Sequence, residues 1–209
     1  MSFRDYIDLF GDNILFLLEQ HLLLFAVALV GAAILGVGLG VLTSRYRPFA
    51  RVAVPLVNIF QACPEIVLLA LSIPLFGIGV RGALIPLFLK GVLPILRNTS
   101  SGLRSVDPRL LEAAQAMGMT SRQVFLRVQI PAVLPVVIAG IRISAVMLVS
   151  VLTLTAYIGV DSLGSLIVQG IARMDVTPLL IGCGLTALLA LLVNYLLLLL
   201  ERLLARRLT

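Results

Sequence analysis

Two charged side chains, Glu65 and Lys90, stand inside otherwise apolar stretches of this sequence. A carboxylate and an ammonium so placed can contact a polar solute, or they can simply neutralise each other. The residues that other chemistry needs are missing. His21 is the single histidine, and Cys63 and Cys183 are the two cysteines, with no CxxC spacing. That set builds no zinc, haem or iron–sulfur site, so the expected metal ligands are none. Both cysteines read as small buried hydrophobes. There is no Ser/His/Asp set and no paired carboxylate. A phosphate-binding loop needs Gly-Lys-Ser/Thr, whereas Lys90 follows Leu89. The chain is therefore expected to bind no cofactor and to hydrolyse no ATP itself.

The elements that must hold these two charges are membrane spans. Of 209 residues, 60% are hydrophobic and 12% charged, and mean hydropathy is +1.13. Soluble domains carry about 25% charge, and half of that cannot cover a water-facing surface. A span takes about 20 apolar residues. The runs are Leu22–Thr43, Phe49–Phe76 with Pro55, Pro64 and Pro74 inside it, the short Ala83–Leu96, about Ala132–Ile158, and Pro178–Leu200. The fold class is thus all-α, a polytopic membrane protein of about five transmembrane helices. Residues 1–21 form an extracytoplasmic N-terminal segment, 22–205 the five-span domain and 206–209 a cytoplasmic tail. The N-terminal segment carries Asp5, Asp8, Asp12 and Glu19 against Arg4, so it is no signal peptide.

Charge placement sets the orientation. Twelve of the fifteen arginines, all but Arg4, Arg81 and Arg173, fall beside one set of span ends with three acids, a net +9. The opposite ends hold those three arginines against six acids, a net −3. Basic ends stay inside, which puts the N-terminus out and the C-terminus in. The net charge of +6 needs no nucleic-acid partner.

Depth brings Glu65 and Lys90 together. Glu65 lies 11 residues before Phe76, about 16 Å in, and Lys90 lies 8 residues after Gly82, about 12 Å in. On antiparallel spans they reach similar depth. Two readings stay open: a pore-lining pair touching a solute, or a structural pair with Lys90 snorkelling. Gln61, Asn98, Thr153 and Tyr157 are further candidates for a pathway, set against ordinary helix–helix hydrogen bonding. Ala28, Ala32, Gly36 and Gly40 form a ridge of small residues suited to close helix packing.

The loop at about 104–131, between the third and fourth spans, carries a second signal. Asp107 is a good N-cap and Pro108 fits the first helical position. Leu110, Leu111, Ala114 and Met117 follow on one face, and Gly118 supplies the stop with positive φ. Thr120 and Gln123 have capping-box spacing ahead of a helix running to Pro131. A helix of about ten residues is marginal alone in water, so its apolar face must dock, either on its own membrane domain or in another protein's groove.

Glu112-Ala113-Ala114, three residues, Gly118, nine residues, then Val128-Gln129-Ile130-Pro131 resembles the EAA loop of ABC-importer permeases. Ile73-Pro74-Leu75-Phe76-Gly77-Ile78-Gly79, Leu93-Pro94-Ile95-Leu96-Arg97-Asn98-Thr99, Ala139-Gly140-Ile141-Arg142 and Tyr157-Ile158-Gly159 are similar to the quaternary-amine (glycine betaine, choline, carnitine) osmoprotectant permeases. Glu65 and Lys90 depart from that pattern. The resemblance implies a methionine-importer-like fold, with Leu110, Leu111, Glu112, Ala113, Ala114, Met117 and Gly118 coupling to an ATPase. It also implies a second permease subunit, two ABC ATPase subunits that use ATP and Mg, an extracytoplasmic substrate-binding protein, and a bacterial cytoplasmic (inner) membrane. The nearest alternative is the same machine for another small solute, such as an amino acid or related amine; a passive channel or scaffold, with the loop only structural, is the rival of a different class.

Overall fold

No proline interrupts the chain before Pro48, and the first element of the computed structural model is correspondingly long. The structure describes residues 3–208. Helix α1 runs over Phe3–Arg45, about 64 Å at 1.5 Å per residue. The segment 1–21 is therefore not separate from the first span: its described part is the first half of α1. Tyr6 and Leu17 are buried there with Leu166 and Ile181, which anchors this half to the rest of the bundle. Met1, Ser2 and Thr209, the ends of the two expected terminal segments, lie outside the described residues.

The second apolar run is two helices, α2 (Arg47–Ala62) and α3 (Glu65–Phe76), bent by 103° where they join. Pro64 disfavours helical backbone at the residue before it, and Cys63 is extended with φ −66° and ψ 135°. Helix α4 spans Val80–Ser105. It begins before Ala83 and continues about two and a half turns past Leu96, because Pro86 and Pro94 do not end it. Short α5 (Pro108–Ala116) follows, then α6 (Ser121–Val124), which passes through a π turn into α7 (Ile130–Thr153). Pro131 does not stop this path, since it sits in the first turn of α7. A 3₁₀ turn at Leu154–Ile158, α8 (Leu163–Arg173) and α9 (Val176–Leu208) complete the chain. Among the described residues every element is helical.

Helix α4 is the centre. Leu87, Ile95 and Leu96 are fully buried, packed against α1 on one side and α7 on the other. The ridge on α1 explains the closeness. Ala28 and Ala32 are fully buried, and a Cβ added to Gly36 would stand 2.7 Å from Ile95 Cβ. Outward faces are apolar instead: Val30 and Ile34 on α1 and Leu188 and Leu191 on α9 are all exposed, as lipid-facing residues are. Cys183 lies on that outer stripe of α9 and is exposed, and Cys63 is half-buried, so neither is the buried hydrophobe expected.

Three described helical stretches are long and apolar enough to cross a membrane: Arg4–Arg45, Ser121–Ile158 and Val176–Arg206. Counting the bent α2–α3 pair as one crossing makes four. Helix α4 has the length for another, but Lys90, Arg97, Asn98, Thr99 and Ser100 make it more polar than the rest. A helix buried by protein can carry such groups.

Candidate functional site

The break between α2 and α3 exposes the carbonyls that close one helix and the amides that open the next. Both ends carry matched charge. Lys90, on α4, points its Nζ into the break and donates to Gln61 O at 3.0 Å and Cys63 O at 2.6 Å. The same Nζ donates to Glu65 Oε1 at 3.1 Å. A cation at the end of α2 and an anion in the first turn of α3 both suit the helix dipoles. Lys90 thus uses all three of its hydrogens within one elbow.

The pair is asymmetric. The Lys90 side chain is 2% exposed and that of Glu65 37%. The ammonium and the two carbonyls it holds are turned inside, while the carboxylate is partly exposed. The exposed part of the Glu65 carboxylate can still accept hydrogen bonds. Gln61 joins the group by its backbone carbonyl, while its side-chain amide donates to Met147 Sδ on α7 at 3.5 Å. Its Oε1 is buried without a partner.

The remaining pathway candidates lie elsewhere. Asn98 Nδ2 donates to Pro94 O of its own helix, and the residue sits against Gly140. Thr153 Oγ1 bonds Ser150 O, likewise within its helix. Tyr157 is exposed on the 3₁₀ turn. No hydrogen bond described for them links these three to Lys90.

A second ion pair joins α7 to α9. Arg142 lies inside α7 rather than in a loop, and joins Glu201 Oε2 at 3.0 Å and Asn194 Oδ1 at 3.1 Å on α9.

The second region is α5. Asp107 caps it, its Oδ1 accepting from Arg109 N at 2.9 Å. At the other end Gly118 N bonds Gln115 O and Met119 N bonds Ala114 O, a Schellman closure. Gly118 has φ +85°, as its place after the helix requires. Thr120 and Gln123 make the full capping box. The apolar face is divided, however. Ala114 is buried, and beneath the helix Leu111 and Gln115 line a cavity of about 320 Å³ with Phe125. Arg45 stands 4.1 Å over the Phe125 ring, a cation–π contact holding this base. Leu110 and Met117 stay exposed, Met117 at 75%, and Glu112 and Ala113 face outward with them. Part of α5 is thus fixed to its own chain and part is presented.

The comparisons with known proteins decide the family. A family model described as "Binding-protein-dependent transport system inner membrane component" matches residues 32–209. This chain belongs to that family. Its members are membrane permeases, and the several apolar helices fit a multi-pass inner-membrane protein. The carnitine transport permease protein OpuCB of Listeria monocytogenes is 38% identical over 185 residues, covering 88% of this chain and 85% of that protein. The glycine betaine/carnitine/choline transport system permease protein OpuCB of Bacillus subtilis is 36% identical, covering 92% and 88%. The osmoprotectant import permease protein OsmW of Salmonella typhimurium is 41% identical over 85% of each chain. Among solved structures, the inward-facing MetNI methionine ABC transporter aligns with a TM-score of 0.77 at 25% identity, covering 94% of this chain and 98% of that one. The permease fold expected from the EAA-like loop is the fold observed.

Proposed function

We propose that this chain forms half of the translocation pathway of a binding-protein-dependent ABC importer for quaternary-amine osmoprotectants, such as glycine betaine, choline or carnitine. The observation that carries the reading is the likeness, across most of the chain, to permeases named for those solutes. The site agrees chemically. The open side of the α2–α3 break offers the partly exposed Glu65 carboxylate, an anionic group that can face a positively charged solute. A second reading, the same machine moving an amino acid, is favoured by the likeness in fold to a methionine transporter.

In this reading α1, the α2–α3 pair, α4, α7 and α9 are the five crossings, with the N-terminus outside and the C-terminus in the cytoplasm. A second permease subunit completes the pathway. Two ATPase subunits bind and hydrolyse ATP with Mg, so the chain itself is not catalytic. A substrate-binding protein delivers from outside. The exposed residues Leu110, Glu112, Ala113 and Met117 of the α5 region dock on the ATPase. Closure of the ATPase pair moves the two α5 helices together and rocks the bundles open. Thr153, Tyr157, Asn98 and Gln61 remain proposals for the pathway.

Purification of the chain with its partners and binding protein tests this. Glycine betaine, choline or carnitine should raise the binding protein's melting temperature, by about 2.7 kcal/mol of stabilisation at a hundredfold excess over Kd. A shift produced only by amino acids would move the substrate class. Purification without any ATPase would favour a passive channel.

A further inference from the structure

Helix α5 leans on α6 and on the π turn at Phe125–Gln129. Beside these contacts lies the cavity that Leu111 and Gln115 share with Ser44, Arg45, Leu103 and Phe125. Protein interiors are otherwise close-packed, so this void leaves α5 room to shift on its base. The turn is where such a shift enters the bundle. Single π turns are rare inside helices and recur at functional sites.

Phe125 opens that turn and stands where three helices meet. Its side chain belongs to the apolar cluster that Val41 of α1, Leu103 of α4 and Val133 of α7 also form. Two arginines cross-link the same place. Arg104, near the end of α4, holds the carbonyl of Thr43 and so ties α4 to the end of α1. Arg45, the last residue of α1, lies 4.1 Å over the Phe125 ring and ties α1 to the turn. Its charge also suits the C-terminal end of α1. The backbone carries any movement of the turn directly into α7. Through Arg45 the same movement reaches α1, and through Thr43 and Arg104 it reaches α4.

We propose that Arg45 is a positioning residue for coupling: its grip on Phe125 makes α1 and α4 follow α7 when α5 is displaced. The inference rests on the reading of α5 as the helix that docks on the ATPase.

The test uses the purified complex of this chain with its ATPase, reconstituted in nanodiscs. ATP hydrolysis is compared with and without binding protein loaded with whichever of glycine betaine, choline or carnitine raises its melting temperature. Arg45→Gln should lower the stimulated rate roughly two- to fivefold, the worth of an exposed cation–π contact, with the ATPase still bound. Phe125→Leu should lower it at least as much, and Phe125→Tyr, which keeps a ring, should not. In the Phe125→Leu background, Arg45→Gln should cost nothing more. Undiminished stimulation in Arg45→Gln would overturn the proposal. So would an equal fall in stimulated and unstimulated rates, which marks a structural role only. A further loss in the double variant would also overturn it, by placing Arg45 on the ATPase rather than on the ring. If the wild type shows no stimulation, the reading of α5 as a coupling helix falls, and this inference falls with it.

Discussion

The Nζ of Lys90 lies 2.6 Å from the carbonyl oxygen of Cys63, so one side chain of α4 closes the end of α2. It is shorter than the contact to Glu65, and together with the bond to Gln61 O it makes the ammonium a fixed part of the elbow. The ion pair is one of three bonds that Lys90 makes there.

That count gives the first prediction. Lys90→Met removes the donor to two carbonyls and one carboxylate inside the protein, a loss of about 3–5 kcal/mol for a buried charged partner. Glu65→Gln leaves Lys90 its carbonyls and an amide oxygen, so yield and melting temperature of the complex should fall little. Adding Glu65→Gln to Lys90→Met should not restore the yield. Equal losses from the two single changes, with recovery in the double variant, would show that the pair alone matters.

Gly118 sets the second. A Cβ there meets nothing within 4 Å, but φ is +85°, so substitution acts through backbone strain only. Gly118→Val should cost about 1–3 kcal/mol locally, distort the end of α5, and uncouple ATPase activity from loaded binding protein. Gly118→Asn, which tolerates this conformation, should couple nearly normally. Comparing stimulated ATPase rates of the two variants checks this.

A third prediction concerns the α1–α4 contact. A Cβ on Gly40 would stand 2.5 Å from Thr99 Cβ and 3.0 Å from Leu96 O, whereas one on Gly38 meets nothing within 4 Å. Gly40→Ala should therefore destabilise the complex by about 1–3 kcal/mol, and Gly38→Ala should be neutral or slightly stabilising. Thermal unfolding of the two variants separates them.

Local features were legible and distant ones were not. The caps of α5, the stop at Gly118 and the small-residue ridge depend on residues a few positions apart, and the sequence displays them directly. The break at Pro64 was foreseeable as a kink, but its 103° angle is held by Lys90, 25 residues on. Depth arithmetic could bring Lys90 near Glu65, yet nothing local said that it also grips Gln61 and Cys63. The end of α4 was read as loop because Arg97, Asn98, Thr99 and Ser100 look polar. Thr99 and Ser100 are in fact buried, since protein rather than lipid surrounds them. The division of the α5 face between its own chain and solvent required the tertiary position of Phe125.

The orientation has its own test. In a background with Cys63 and Cys183 replaced by serine, a cysteine at Gly79 should react with an impermeant external thiol reagent and one at Gln115 should not. Labelling at Gln115 in sealed cells would reverse the topology and remove α5 from the ATPase side.

The most direct measurement is uptake by proteoliposomes containing this chain, its ATPase and its binding protein, with ATP enclosed on the ATPase side. Labelled glycine betaine, choline or carnitine should accumulate only with ATP and binding protein present, and Gly118→Val should abolish most of that accumulation while the complex stays assembled. Uptake that proceeds equally without ATP, or that is unchanged by Gly118→Val, would contradict the account.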